Sequence, residues 1–192
     1  DGTFTVTQGK VEGKALSALE FNGSSQEIAL NGNNSMAEDF TFSTWLNADE
    51  FSNNVLLGKG SNASMELRFT NATTFTTAFD GEDPVNTTIS GMSTDKWIHF
   101  AITRDRASSG TTKIYVNGVL NATADILANE PTGSFDFIGL ANGNRWDGHL
   151  RDMRIYDGVI LSADQIYSLY RGTFPVMPYL WWKMDEGTGL PL

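Results

Sequence analysis

The sequence predicts an all-β protein: a two-sheet antiparallel β-sandwich with one short helix. Three observations carry that prediction. Apolar and polar residues alternate with a period of two through segment after segment. Loops rich in Gly, Asn, Ser and Asp separate those segments at short intervals. A single stretch combines helical periodicity with helix-capping chemistry. With 192 residues, 40% of them apolar, and 12 Phe and 5 Trp, the chain has the material for one substantial core.

The elements follow in order. In DFTFSTWLNA, Phe40, Phe42, Thr44 and Leu46 face one way, and Thr41, Ser43, Trp45 and Asn47 face the other. SMELRFT places Met65, Leu67 and Phe69 opposite Glu66 and Arg68. KWIHFAITRD sets Trp97, His99, Ala101 and Thr103 against Ile98, Phe100 and Ile102. TKIYVNG and FDFIGL are further short strands, and Asn117-Gly118 is a hairpin signal because that pair tolerates positive φ. LSADQIYSLYRG is the helix, expected near residues 162–171. Ser162 and Gln165 form a capping box, Leu161 and Ile166 a hydrophobic staple, and Gly172 closes the end. Two prolines then interrupt pairing in FPVMP, Phe174 to Pro178. The expected organisation is a domain over 1–172, a connector over 173–179 and a terminal strand over 180–192.

Composition excludes several function classes. There is no cysteine, so disulfide frameworks, cysteine zinc sites and thiol catalysis are out. A formal net charge of −10 opposes nucleic acid and anionic membranes as partners. No apolar run reaches the ~18 residues that a spanning helix needs. No strand carries a pair of same-face acids, and neither of the 2 His stands near a Ser/Asp set. The chain is therefore expected not to be an enzyme.

Some residues invite a ligand. Asp80, Glu82 and Asp83 crowd one loop tip, which either collects a hard cation such as calcium or is simply solvated. Asn142, Asn144, Trp146 and Asp147 mix an aromatic ring with polar groups in one loop, the composition of a sugar site. The alternative is that Trp146 begins the closing strand and is half-buried. Asn22, Asn33, Asn62, Asn71, Asn86 and Asn121 each head an N-x-[ST] sequon. That is roughly twice the number composition alone gives, and fits either a glycosylated secreted protein or an Asn- and Thr-rich turn repertoire.

Three stretches together resemble one family. WIHFAITRD with KIYVNGVL is similar to the paired strands of concanavalin A-like, laminin G-type jelly rolls. FIGLANGNRWDGHLRDMRIYDGVILSADQIYSLY resembles that family's closing motif, and GKALSALEFNGSSQEIAL its opening. The matched stretches reach across most of residues 9–171. The resemblance implies a jelly roll and an extracellular setting. It also implies a rim calcium site built from the opening turn, here Asn22-Gly23, and an acid of the closing motif, here Asp152. The preceding motif acid is replaced by Arg151, whose guanidinium cannot ligate calcium.

The segment LWWKMDEGTG resembles the strand with which family members begin, yet here it follows the domain. Three arrangements fit: one period of a tandem array, a circular permutation with the strand in its own domain's gap, or donation to a neighbouring copy. Leu180, Trp181, Trp182 and Met184 are the assembly residues, with Trp182 and Met184 expected inward. The functional expectation is an adhesion or structural-assembly module of a larger protein. Its expected partners are neighbouring copies or adjacent domains, glycans or extracellular proteins. The alternatives are a calcium-dependent lectin and an accessory domain of a glycoside hydrolase.

Overall fold

A strand with one apolar face must bury it, and two such sheets do so against each other. The computed structural model describes residues 5–11, 14–35, 39–60, 66–79, 84–108, 110–125, 134–173 and 175–184, and for 5–16 and 31–35 the backbone alone. The larger sheet is eight-stranded. Its main path runs β1 (Thr5–Val11), β2 (Lys14–Asn22), β15 (Asp147–Asp157), β4 (Phe40–Ala48), β9 (Ile98–Asp105), β10 (Thr111–Val116) and β11 (Val119–Asp125). The last member, β16 (Leu180–Trp182), pairs with β15 off this path. The second sheet is six-stranded: β3 (Ile28–Ser35), β12 (Ser134–Ile138), β5 (Asn54–Gly58), β6 (Glu66–Asn71), β7 (Thr74–Ala78) and β8 (Val85–Thr88). A small hairpin joins β13 (Leu140–Ala141) to β14 (Asn144–Arg145). The pairings in both large sheets are antiparallel, as the sandwich expectation requires.

The core lies between the sheets. Phe42 and Leu46 of β4, Phe100 and Ile102 of β9, and Leu150 and Ile155 of β15 meet Leu57, Phe69, Phe75 and Ile138 of the other sheet. Phe69 anchors the centre, with its ring edge-on to Phe51, Phe75 and Phe100 at 5.2, 4.8 and 4.9 Å. That geometry suits the ring quadrupoles, and each buried side chain contributes roughly 1.5–3 kcal/mol.

The helix, α1 (Ala163–Tyr170), begins at Ser162 with both arms of the capping box formed to Gln165. It lies on the outer face of the larger sheet, where Leu161, Ile166 and Leu169 pack on Ala101, Tyr115 and Tyr156. The helix thus covers part of a face that the strand alternation leaves polar. The closing strand starts one residue later than its alternative reading placed it. β15 opens at Asp147, and Trp146 is fully buried, 6.2 Å from Phe69.

The terminal strand sits in its own chain's sheet. β2 pairs with Asp147–Leu150 of β15, while β16 pairs with Met153, Arg154 and Ile155. Because β4 occupies the other edge of β15, β2 and β16 share one edge. Leu180 and Trp182 pack against the core, and Met184 lies within it. Trp181 faces outward, 38% exposed.

Candidate functional site

The outer face of the larger sheet carries a polar and aromatic cluster beside α1. Strand register assembles it. Arg151 on β15 stands opposite Trp45 on β4, which stands opposite His99 on β9. One step along, His149 stands opposite Asn47. Trp97, just before β9, continues the face that His99 shares. The Arg151 guanidinium lies 5.1 Å from the ring centre of Trp45 and 4.8 Å from that of Trp97. Tyr170 of α1 stacks on Trp45 at 5.7 Å, and His149 meets Trp97 edge-on at 6.4 Å.

A β-bulge sets the direction of Arg151. The register of β15 against β4 shifts between Arg151 and Arg154. Asp152 sits in that bulge with φ 54, in the left-handed region that Asp tolerates better than most residues. Its N–H donates to the Lys183 carbonyl at 2.9 Å. Its carboxylate accepts from the Trp181 indole N–H at 2.7 Å and pairs with Arg154 at 2.5 Å. Arg154 also lies 5.0 Å from the Trp181 ring centre. The terminal strand therefore holds the bulge that precedes Arg154 and follows Arg151.

The electrostatics are unusual for so acidic a chain. Among the described residues no carboxylate reaches ion-pair distance of Arg151; Asp152 favours its charge through space but is bound elsewhere. His99 is held neutral, its pKa lowered from 6.5 to about 3 by burial and by Arg154 and Arg151. Both ring nitrogens of His99, Oδ1 of Asn47, Nδ1 of His149, Oγ of Ser43 and Nε of Arg151 are buried without a hydrogen-bond partner among the described residues. Buried polar atoms in that condition call for a partner such as water or a bound group.

The rim residues are placed differently from expectation. Asn22 pairs across the strands with Asp147, and an added Cβ on Gly23 would meet the Asp147 carboxyl carbon at 2.9 Å. The opening turn therefore faces Asp147 rather than Asp152, which lies further along β15 and is committed to Arg154 and Trp181. The Asn22 side-chain Oδ1 accepts from the Ser24 and Ser25 N–H groups at 3.1 and 3.0 Å, inside its own loop. Burial, then Asp49 and Glu50, raise the pKa of Asp147. No three His, Cys, Asp or Glu among the described residues gather in a metal-holding group. Asp80, Glu82 and Asp83 lie outside the described residues.

In the expected sugar loop, Trp146 cannot offer a ring face, because the sandwich core encloses it completely. Asn142 remains exposed at the β13–β14 turn, and Asn144 and Asp147 are half-buried. Of the sequons, Asn71 and Asn86 are exposed, and their hydrogen bonds fall on Oδ1, leaving the reactive Nδ2 unbonded. Asn121 and Asn22 spend Nδ2 on Ser90 and Ser25. Asn33 is described by backbone alone, and Asn62 lies outside the described residues. The sequence reading placed Trp45, Asn47, Trp97 and His99 on one face each but not together. Alternation gives the face of a residue, whereas the cluster depends on register between strands far apart in sequence.

The sequence matches a family model, laminin G 3, described as concanavalin A-like lectin/glucanases superfamily, over residues 22–167. No curated protein matches it. Among solved structures, it is similar to a proposed carbohydrate-binding protein from Bacteroides ovatus at 23% identity and TM-score 0.66, covering 92% of this chain and 53% of that one. It is similar to the heptameric SAP-like pentraxin of Limulus polyphemus at 11% identity and TM-score 0.65, covering 88% and 91%. It is also similar to the receptor-binding domain of botulinum neurotoxin type G at 18% identity and TM-score 0.51, covering 88% and 51%. The chain thus spans about half the length of the first and the third. These likenesses concern the fold. No helix of the described residues is long and apolar enough to cross a membrane.

Proposed function

Since this chain belongs to the concanavalin A-like lectin/glucanases superfamily, we propose that it is a non-catalytic, extracellular adhesion or structural-assembly module of a larger protein. It works by holding glycans or protein surfaces on the outer face of its larger sheet. The observation that carries this reading is the half-exposed group of Trp45, Trp97, Asn47, His149 and Arg151, which combines ring faces, amide, imidazole and guanidinium on rigid strands. Aromatic faces flanked by a few polar groups suit ligands that are part apolar and part hydroxylated. Glycoside hydrolysis needs two carboxyl groups flanking a bound sugar. The centre of this face presents Arg, Trp and His instead, and Asp152 beside it is bound by Arg154 and Trp181. The solved structures that share the fold include proteins described by carbohydrate and receptor binding, which supports contact with glycan or protein. Fold alone does not fix such a role.

The test is binding of the whole chain to a glycan array and to immobilised extracellular matrix proteins, with Trp97→Ala alongside. Retention on at least one surface, lost at least tenfold in Trp97→Ala with the thermal midpoint kept, is the expected result. A wild type that binds nothing on either surface ends the proposal. A calcium-dependent lectin is the second reading, favoured by the approach of Gly23 to Asp147 beside Asp49 and Glu50 at the rim. It predicts array binding that EGTA abolishes and calcium restores.

A further inference from the structure

We propose that the outer-face cluster binds a sugar bearing a carboxylate, with Arg151 as its anion anchor; this rests on the glycan reading above and names the ligand class for that same site. Arg151 carries a charge that no carboxylate among the described residues answers at ion-pair distance. The chain is acidic, with 23 Asp and Glu against 13 Lys and Arg. In such a chain a guanidinium finds a carboxylate easily, and Arg154, three residues on, has found Asp152. Arg151 has none at ion-pair distance among the described residues, although it is half-buried and partly desolvated. It is held instead against two indoles, at 5.1 and 4.8 Å. Cation–π contact fixes the plane of a guanidinium while leaving its N–H edge free to donate.

The chemistry of the fork selects among anions. Arg presents a planar fork that matches a carboxylate through two parallel hydrogen bonds. A sulfate ester also fits the fork, but a carboxylate is the more basic acceptor and takes the stronger charge-assisted hydrogen bonds. The groups around it suit the rest of a sugar. Asn47 Oδ1 and His149 Nδ1, on residues opposite each other on neighbouring strands, are buried without partners among the described residues, and hydroxyl groups are suitable partners for them. Trp97, partly exposed, supplies a face for the ring C–H groups. The charged and titratable groups on this face around Arg151 are His149, Glu20 opposite it on β2, neutral His99, and the Asp152–Arg154 pair.

Two sugars that differ at a single carbon test this: methyl β-glucuronide, with a carboxylate at C6, and methyl β-glucoside, with a hydroxymethyl there. Glucose 6-sulfate is the third arm. Binding to the whole chain is followed by the Trp45 and Trp97 indole N–H signals in NMR titrations. The expected result is at least tenfold tighter binding of the glucuronide than of either other sugar, weakening as salt rises. Arg151→Met keeps much of the side-chain volume and is expected to bring the glucuronide down to the glucoside. Arg151→Lys retains the charge without the fork and is expected to fall between them. Equal affinity for glucuronide and glucoside overturns the inference while leaving the glycan reading standing. A tighter glucose 6-sulfate overturns the choice of carboxylate, and an Arg151→Met chain that still prefers the glucuronide overturns the role of Arg151. Indole signals that none of the three sugars moves overturn the inference, and the glycan reading is then judged by the array alone.

Discussion

His99 and Arg151 show how one strand face gives two side chains opposite electrostatic fates. Both stand on the row through Trp45, yet His99 is shut beneath Trp45 and Tyr170 while Arg151 reaches the surface. Burial near two guanidinium groups makes a charged imidazole costly, so His99 stays neutral down to about pH 3. The unfolded chain takes up that proton below its ordinary pKa of 6.5 and the folded chain does not. His99 therefore removes stability as pH falls through that window, by up to about 1.4 kcal/mol per pH unit. In His99→Gln this contribution vanishes. The free-energy difference between wild type and variant, from urea unfolding, should shift against the wild type between pH 7 and pH 4.5. A difference that stays constant across that range would mean the imidazole charges normally in the fold.

The bulge and the terminal strand act as one element. A strand of three residues has few ladder bonds, and β16 compensates with side chains. Trp181 ties the Asp152 carboxylate, the Lys183 carbonyl takes the Asp152 N–H, and Met184 enters the core. A hydrogen bond to a charged group is worth about 1.5–3 kcal/mol. Trp181→Phe keeps the ring over Arg154 and removes only the indole donor, so a loss of about 1–2 kcal/mol in urea unfolding is expected. A loss under about 0.3 kcal/mol would show that the Trp181–Asp152 bond adds nothing. The sequence disclosed much of this element: the period of two in LWWKM separates Trp181 from Leu180, Trp182 and Met184. It disclosed the helix equally well, since Ser162, Gln165, Leu161 and Ile166 act over a few residues. It did not disclose the bulge, because the slip of β15 against β4 arises from pairing between segments about a hundred residues apart. For the same reason Trp146 was legible as a loop neighbour or a half-buried start of the closing strand, and not as a fully enclosed core residue.

At the scale of the whole molecule, the edge of β15 governs how the chain associates. That edge is divided: β2 takes its first part and β16 the part beyond the bulge. An unfilled edge beside the core would be a template for association. Here the connector, with Pro175 and Pro178, carries the chain from α1 back to the sheet, and Tyr179 already bonds the Ile155 carbonyl at 2.8 Å before the strand begins. A strand delivered by its own connector docks at a high effective concentration, which a second copy matches only when the connector cannot span the distance. The wild type is therefore expected to be a monodisperse monomer in light scattering at high concentration. Trp182→Asp puts a carboxylate against the core beside Met153 and should cost roughly 3 kcal/mol or more. It empties the edge, so this variant is expected to associate where the wild type does not. The opposite pattern, wild-type oligomers that Trp182→Asp dissolves into monomers, would assign β16 to a neighbouring copy.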